Sequence, residues 1–158
     1  MKYETDKRTK NLTLRDIHVG DWVQVWSETT ERYSPPLKII QICDDGTIYL
    51  VTSDEERPTP WEEDIKNVDA LPIDADLLRG FGFKKSGDFY LYENSVFVVD
   101  KQLDFMDFFY IDPYGGDTIQ LDYVDYMHEL QQMLYEEMNF IGDFNIEWKG
   151  LRNDRAGI

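Results

Sequence analysis

The fold of this chain is decided by the stretch Val19-Gly20-Asp21-Trp22-Val23-Gln24-Val25-Trp26. Its two inner valines alternate with two tryptophans and a glutamine, which is the two-residue period of a β-strand. Branched and aromatic side chains also favour strands over helices. The stretch therefore predicts a first strand, entered through a glycine–aspartate turn.

The next fifty residues continue in short strands separated by turn residues. Pro35-Pro36 ends a polar loop, and Leu37–Ile42 and Thr47–Val51 flank an Asp-Asp-Gly turn, the composition typical of a hairpin. The acidic, proline-containing stretch 53–64 predicts an exposed loop, and Ile65–Val68 predicts a fourth strand. Short strands at this spacing indicate a small SH3-like β-barrel, with a plain antiparallel sheet as the alternative.

The second half of the chain predicts a short helix, a meander and a longer helix. Asp74 is placed to cap a helix that ends near Gly80 and Gly82. Turn residues then recur between four predicted strands, the last at Thr118–Leu121. Apolar residues recur one helical turn apart from Tyr123 to Met138, with Asp122 as N-cap. We expect this amphipathic helix to pack on the meander, so the predicted fold class is α+β.

These elements predict a domain organisation in four parts: a flexible N-terminus at 1–11, an SH3-like β subdomain at 12–70, a meander-plus-helix subdomain at 71–148 and a flexible tail at 149–158. Three stretches are similar, in order, to a family of uncharacterised proteins from Bacteroidales bacteria and their mobile elements: 14–23 (LRDIHVGDWV), 71–83 (LPIDADLLRGFGF) and 123–131 (YVDYMHELQ). The resemblance implies the same order of elements and no activity. The chain departs from the family in its acidic loop and its basic tail.

Composition indicates a folded protein of a reducing compartment. Hydrophobic residues make up 42% of the chain and aromatic residues 15%, too much apolar material for a disordered chain. Cys43 is the single cysteine, so no disulfide can form within the chain. The first ten residues lack an apolar core and predict no secretory signal, and no apolar run is long enough to span a bilayer. We expect a cytoplasmic location.

The charge is strongly negative and unevenly distributed. The net charge is −16, and between Ser86 and Trp148 the single basic residue, Lys101, stands against 14 acidic residues. A surface of this kind repels phosphates, so we expect neither direct nucleic-acid binding nor attraction to anionic membranes. The negative charge either serves only to keep the protein soluble or forms a surface that binds a basic protein partner.

Residues able to carry catalysis are few, and each has a simpler interpretation. Cys43 ends an apolar strand beside an aspartate, which is typical of a buried small side chain with no activating group. His128 lies three residues after Asp125 on the predicted helix, so a surface ion pair accounts for it. No spacing fits an EF-hand loop or a zinc site. We predict no catalytic, cofactor-binding or metal-binding residues.

Three functional hypotheses remain from the sequence. The favoured one is a non-catalytic acidic interaction protein that docks a basic, nucleic-acid-binding partner by imitating phosphate charge. The second is an SH3-like peptide-binding module with Trp22, Trp26, Tyr33 and the Pro35-Pro36 loop in its groove. The third is a small hydrolase using His128 or an acid pair. The first two predict a partner-binding set: Asp104, Asp107, Asp112, Asp117, Trp22 and Trp26.

Overall fold

The protein divides into two compact units, and both belong to an α+β architecture with antiparallel sheets. The computed structural model describes residues 8–52, 60–86, 89–92, 97–102, 105–111, 118–137 and 146–150. The first unit consists of residues 1–72 and 126–132, and the second of residues 73–125 and 133–158. Among the described helices, none is both long and apolar enough to cross a membrane.

The first unit is a curved antiparallel sheet of short strands. Its described strands are β1 (Trp22–Ser27), β2 (Arg32–Tyr33), β3 (Leu37–Ile42), β4 (Thr47–Val51), β5 (Trp61–Asp64) and β6 (Val68–Ala70). The order across the sheet is β6-β1-β3-β4-β5, and β2 pairs with the end of β1. The predicted strands β1, β3 and β4 are confirmed, as is the Asp-Asp-Gly turn, where the main-chain N–H of Cys43 donates to the carbonyl of Thr47 at 2.9 Å.

One face of this sheet packs against an apolar core. Val23 and Val25 of β1 point into it, as their alternation predicted, and meet Ala70 and Val68 across the pairing of β1 with β6. The other buried members come from neighbouring strands and from the segment before β1: Leu12, Ile17, Leu37, Ile39, Ile48 and Leu50. Burial of this many branched side chains is the main stabilisation of the unit.

The acidic stretch before β6 differs from the sequence prediction. Residues 61–64, expected in a loop, form the edge strand β5, which pairs with β4 from Leu50↔Trp61 to Thr47↔Asp64. Residues Ile65–Asn67, expected in a strand, form one 3₁₀ turn capped by Asp64, whose Oδ1 accepts from the main-chain N–H of Lys66 at 2.9 Å. An edge strand tolerates charged side chains because one of its sides is free of pairing.

The second unit begins with the predicted short helix, α1 (Ala75–Gly80). Asp74 caps it as expected, since its Oδ1 accepts from the main-chain N–H of Leu77 at 2.8 Å. A five-stranded antiparallel meander follows in sequence order: β7 (Phe83–Ser86), β8 (Phe89–Tyr92), β9 (Phe97–Gln102), β10 (Phe105–Ile111) and β11 (Thr118–Val124). The meander was predicted, although β7 was not.

The long helix, α2, runs from Met127 to Glu137 and starts later than predicted. The expected N-cap Asp122 lies within β11 instead, because pairing of Tyr123 and Val124 with β10 extends that strand. Its first turns belong to the first unit, where the main-chain N–H of Met127 donates to the carbonyl of Leu71 at 2.9 Å. Packing of the helix on the meander stays a prediction.

Candidate functional site

A groove of about 800 Å³ opens on the first unit between the loop that follows β1 and the edge strand β5. Three aromatic residues line it: Trp26 at the end of β1, Tyr33 on β2 and Trp61 on β5. Trp26 and Tyr33 meet edge to face with ring centroids 4.9 Å apart. Trp61 is 39% exposed, one of the few large apolar side chains that the described part of the chain leaves open to solvent.

Acidic groups accompany the rings of this groove. Glu28 lines it from the loop and Glu63 from β5, while Arg32 is the single cation among its described lining residues. Trp61 and Glu63 share one face of β5 because strand side chains alternate, so Glu62 and Asp64 point the other way. Ring faces and carboxylates together favour a cationic ligand over an anionic one.

The predicted groove residues are placed differently by the structure. Trp26 and Tyr33 do line the groove, and Trp26 is 6% exposed. Trp22 is fully buried, so its ring offers no open surface to a partner. Pro35 is exposed, whereas Pro36 is buried. Trp61 and Glu63 also line the groove but were not predicted, because they lie in the stretch interpreted as loop, where one tryptophan precedes three consecutive acids without any alternation.

The predicted aspartate set lies largely outside the described structure. Asp104, Asp112 and Asp117 are not among the described residues, and Asp107 is described by its backbone alone, within β10. Their role in partner binding stays a prediction.

Next to the groove, a buried carboxylate organises the N-terminal segment. Asp69 of β6 is fully buried and accepts hydrogen bonds at both oxygens. Arg8 donates from Nε to Oδ2 at 2.9 Å and from Nη2 to Oδ1 at 2.6 Å, a bidentate pair. The Tyr33 hydroxyl donates to Oδ2 at 2.6 Å, and the Asn11 amide donates to Oδ1 at 3.0 Å. Arg8 and Asn11, the described ends of the predicted N-terminal part, thus both bind to this carboxylate.

The electrostatics of this cluster follow from its short contacts. The hydrogen bond to Asp69 raises the pKa of Arg8 above its ordinary value, since it favours the charged guanidinium. Burial, followed by the hydrogen bond to Asp69, raises the pKa of Tyr33. Both groups therefore stay protonated as hydrogen-bond donors throughout the physiological range.

A second polar cluster joins the start of α2 to the turn before β1. Gln131 accepts from the main-chain N–H of Trp22 at 2.8 Å and donates to the carbonyl of Gly20 at 2.9 Å. Gln132 donates to the carbonyl of Asp16 at 2.9 Å and to Asp21 at 2.8 Å. Asp21 is 4% exposed, and burial raises the pKa of its carboxyl above the ordinary value.

His128, the residue of the hydrolase hypothesis, lies in the same region and does not line the groove. It is 3% exposed, and within the described residues its Nδ1 has no hydrogen-bond partner. Burial lowers the pKa of the imidazole below its ordinary value of 6.5, while the nearby carboxylate of Glu129 acts in the opposite direction. Within the described ranges, no group of three or more His, Cys, Asp or Glu side chains could hold a metal ion.

The buried imidazole leads to a pH prediction. We expect the protein to lose stability as the pH falls below about 6.5, because the unfolded chain then binds a proton at His128 that the folded chain excludes. The loss continues until the pH reaches the lowered pKa of the folded state. Urea denaturation at pH 7.5 and 5.5 should show a smaller difference in unfolding free energy for His128→Gln than for the wild type.

The matched control for that measurement is Ile40→Ala. It removes an exposed side chain that carries no titratable group, so the pH dependence should match that of the wild type. Equal pH dependence in the wild type and in His128→Gln would contradict the assignment of the effect to His128.

Comparisons of the chain with protein-family models, with curated proteins and with solved structures find no match. The resemblance to the Bacteroidales family accordingly stays a prediction, and the groove with its adjoining Asp69 cluster is the candidate site that the chain's own geometry supplies.

Proposed function

We propose that the protein is a non-catalytic interaction protein whose first unit, an SH3-like module, binds an arginine- or lysine-containing segment of a basic partner in the groove between the β1–β2 loop and β5. The observation that carries the proposal is the pairing of the exposed Trp61 and the half-buried Tyr33 with Glu28 and Glu63 along one open groove, with the buried Trp26 as a further lining residue. The order β6-β1-β3-β4-β5 around one small core supports the SH3-like assignment.

The chemistry of the groove favours a cationic ligand over other classes. A guanidinium or ammonium group gains from an aromatic ring face and from a nearby carboxylate, and the aliphatic stem of the same side chain can cover apolar surface. The net charge of −16 adds long-range attraction, which raises the association rate of a basic partner. Nucleic acid is disfavoured as a direct ligand because the same field repels phosphates.

The exposed ring of Trp61 provides the sharpest test. A fluorescein-labelled peptide of alternating arginine and glycine, titrated with the full chain at low salt, should bind with an affinity measurable by fluorescence anisotropy. We expect Trp61→Ala to weaken binding about tenfold, the loss of one ring contact at a small interface. Ile40→Ala removes an apolar side chain of similar exposure on β3 and should leave binding unchanged. Failure of the wild type to bind the peptide would contradict the proposal.

Two adjacent glutamates test the role of charge. Glu63 lines the groove and Glu62 lies on the opposite face of β5, so Glu63→Gln and Glu62→Gln remove the same charge from neighbouring positions. We expect Glu63→Gln to weaken binding of the arginine–glycine peptide about threefold at low salt, with little effect of Glu62→Gln. Equal effects of the two variants would show that net charge, and not the groove, attracts the peptide.

A further inference from the structure

Arg8 occupies a site that matches a guanidinium group in shape and charge. Its fork is bound by both oxygens of Asp69, and its Nη2 also donates to the carbonyl of Lys66 at 3.0 Å. The guanidinium carbon lies 5.8 Å from the centroid of the Trp26 ring, within cation–π range. A planar, bidentate arrangement of this kind distinguishes arginine from lysine.

The receptor side of this site is held in place without Arg8. Asp69 is fully buried and is also bound by the Tyr33 hydroxyl and the Asn11 amide. Tyr33 in turn packs edge to face on Trp26. These two neutral donors hold the Asp69 carboxylate in place, so that its charge faces the position occupied by the guanidinium of Arg8.

Arg8 reaches this site on a short extended segment. The main-chain N–H of Ala70 donates to the carbonyl of Lys10 at 2.8 Å, and that of Leu12 donates to the carbonyl of Val68 at 3.0 Å. Asn11 pairs with Asp69 as an isolated antiparallel bridge. Residues 10–12 therefore pair with β6 over a short distance, in the manner in which a separate peptide can add to a sheet.

The arginine site and the groove share two walls. Trp26 and Tyr33 line the groove and also contact Arg8 or its carboxylate. An arginine of a segment lying in the groove would be next to Asp69 if Arg8 were displaced. The N-terminal segment that carries Arg8 therefore lies where it can compete with a basic ligand for Asp69.

We propose that Arg8 is an internal ligand of an arginine site formed by Asp69, Tyr33 and Trp26, and that an arginine of the basic partner binds there by displacing it. This inference rests on the proposed function and adds its regulation: the N-terminal segment limits access to one part of the binding surface. The partner's affinity is then reduced by the fraction of molecules in which Arg8 holds the site.

The test compares two arginines of the N-terminal region. Arg8→Ala empties the site, whereas Arg15→Ala removes the same charge from an exposed position. We expect the full-length Arg8→Ala variant to bind the arginine–glycine peptide about tenfold more tightly than Arg15→Ala, and a lysine–glycine peptide to show a much smaller gain. Equal affinities of the two variants would overturn the inference, leaving Arg8 as a structural contact only.

A second measurement separates this inference from the proposed function and does not need the peptide. The midpoint temperature of thermal unfolding of Arg8→Ala should rise with added ethylguanidinium and not with ethylammonium. The wild type should show no such difference between the two compounds. Equal peptide binding by Arg8→Ala and Arg15→Ala, together with no ethylguanidinium effect, refutes the arginine site and leaves the groove intact. No peptide binding in any variant refutes the proposed function.

Should Arg8→Ala fail to fold, Arg8→Lys retains the charge without the bidentate guanidinium and should bind the peptide with intermediate affinity.

Discussion

Replacing Gly80 with alanine is expected to destabilise the second unit by about 3 kcal/mol. Gly80 ends α1, and a methyl group added at this position would overlap three ring atoms of Trp148. Trp148 is itself fixed: its ring packs edge to face on Phe81 at 5.1 Å, and the main-chain N–H of Lys149 donates to the carbonyl of Gly80 at 2.8 Å. Urea denaturation followed by circular dichroism measures the loss.

The control for Gly80→Ala is the same substitution in a Trp148→Ala background. Removing the ring opens the space that the methyl group needs, so the second substitution should cost little, and the two effects should be strongly non-additive. A full additional loss in the Trp148→Ala background would contradict the steric explanation. It would indicate that the helix end itself requires glycine.

Local sequence chemistry predicted the elements whose signals lie within a few residues. The alternation at Trp22–Trp26, the Asp-Asp-Gly turn and the Asp74 cap each depend on neighbours in the chain, and each is confirmed. The sequence also predicted a helix end at Gly80 and Gly82. The structure divides those roles, because Gly82 has a positive φ of 99°, whereas Gly80 is needed for the close approach of Trp148.

The elements that sequence reasoning missed depend on partners far along the chain. Four residues of an acidic stretch become β5 only because β4 offers an unpaired edge. Residues 126–132 join the first unit through Gln131 and Gln132, whose main-chain and side-chain partners lie more than 100 residues earlier. No periodicity within the helix encodes those partners.

The candidate site was predicted in part for the same reason. Trp26 and Tyr33 were expected in the groove of an SH3-like module, and they line a groove. Arg8 and Asp69 were not expected, since an arginine in a polar N-terminus and an aspartate near the end of a sheet carry no signal of a pair 61 residues apart. Trp22 was predicted to line the groove, but its side chain is fully buried in the structure.

The ion pair of Arg8 and Asp69 gives the other large expected effect. We expect Asp69→Ala to lower the free energy of unfolding of the first unit by about 3 kcal/mol. The substitution leaves Arg8, Tyr33 and Asn11 without their shared acceptor, and the guanidinium keeps the carbonyl of Lys66 and the ring of Trp26 as its described contacts. Removal of this acceptor costs more than an ordinary surface contact, because three donors that converge on a fully buried position lose it at once. Urea denaturation at neutral pH measures the change.

Burial is the physical reason that this effect should exceed the loss of an ordinary ion pair, and the second unit supplies the matched case. Asp76 and Arg79 form an ion pair on α1 with side chains 66% and 48% exposed, so water replaces either partner when the other is removed. Asp76→Ala should therefore cost at most about 0.5 kcal/mol. If Asp69→Ala proved equally mild, the N-terminal segment would have to be held by its β6 pairing and not by Arg8, and displacement of Arg8 by a partner's arginine would leave the segment in place. A large loss of stability in Asp69→Ala, with a small loss in Asp76→Ala, would indicate that the contact of Arg8 with Asp69 fixes the N-terminal segment.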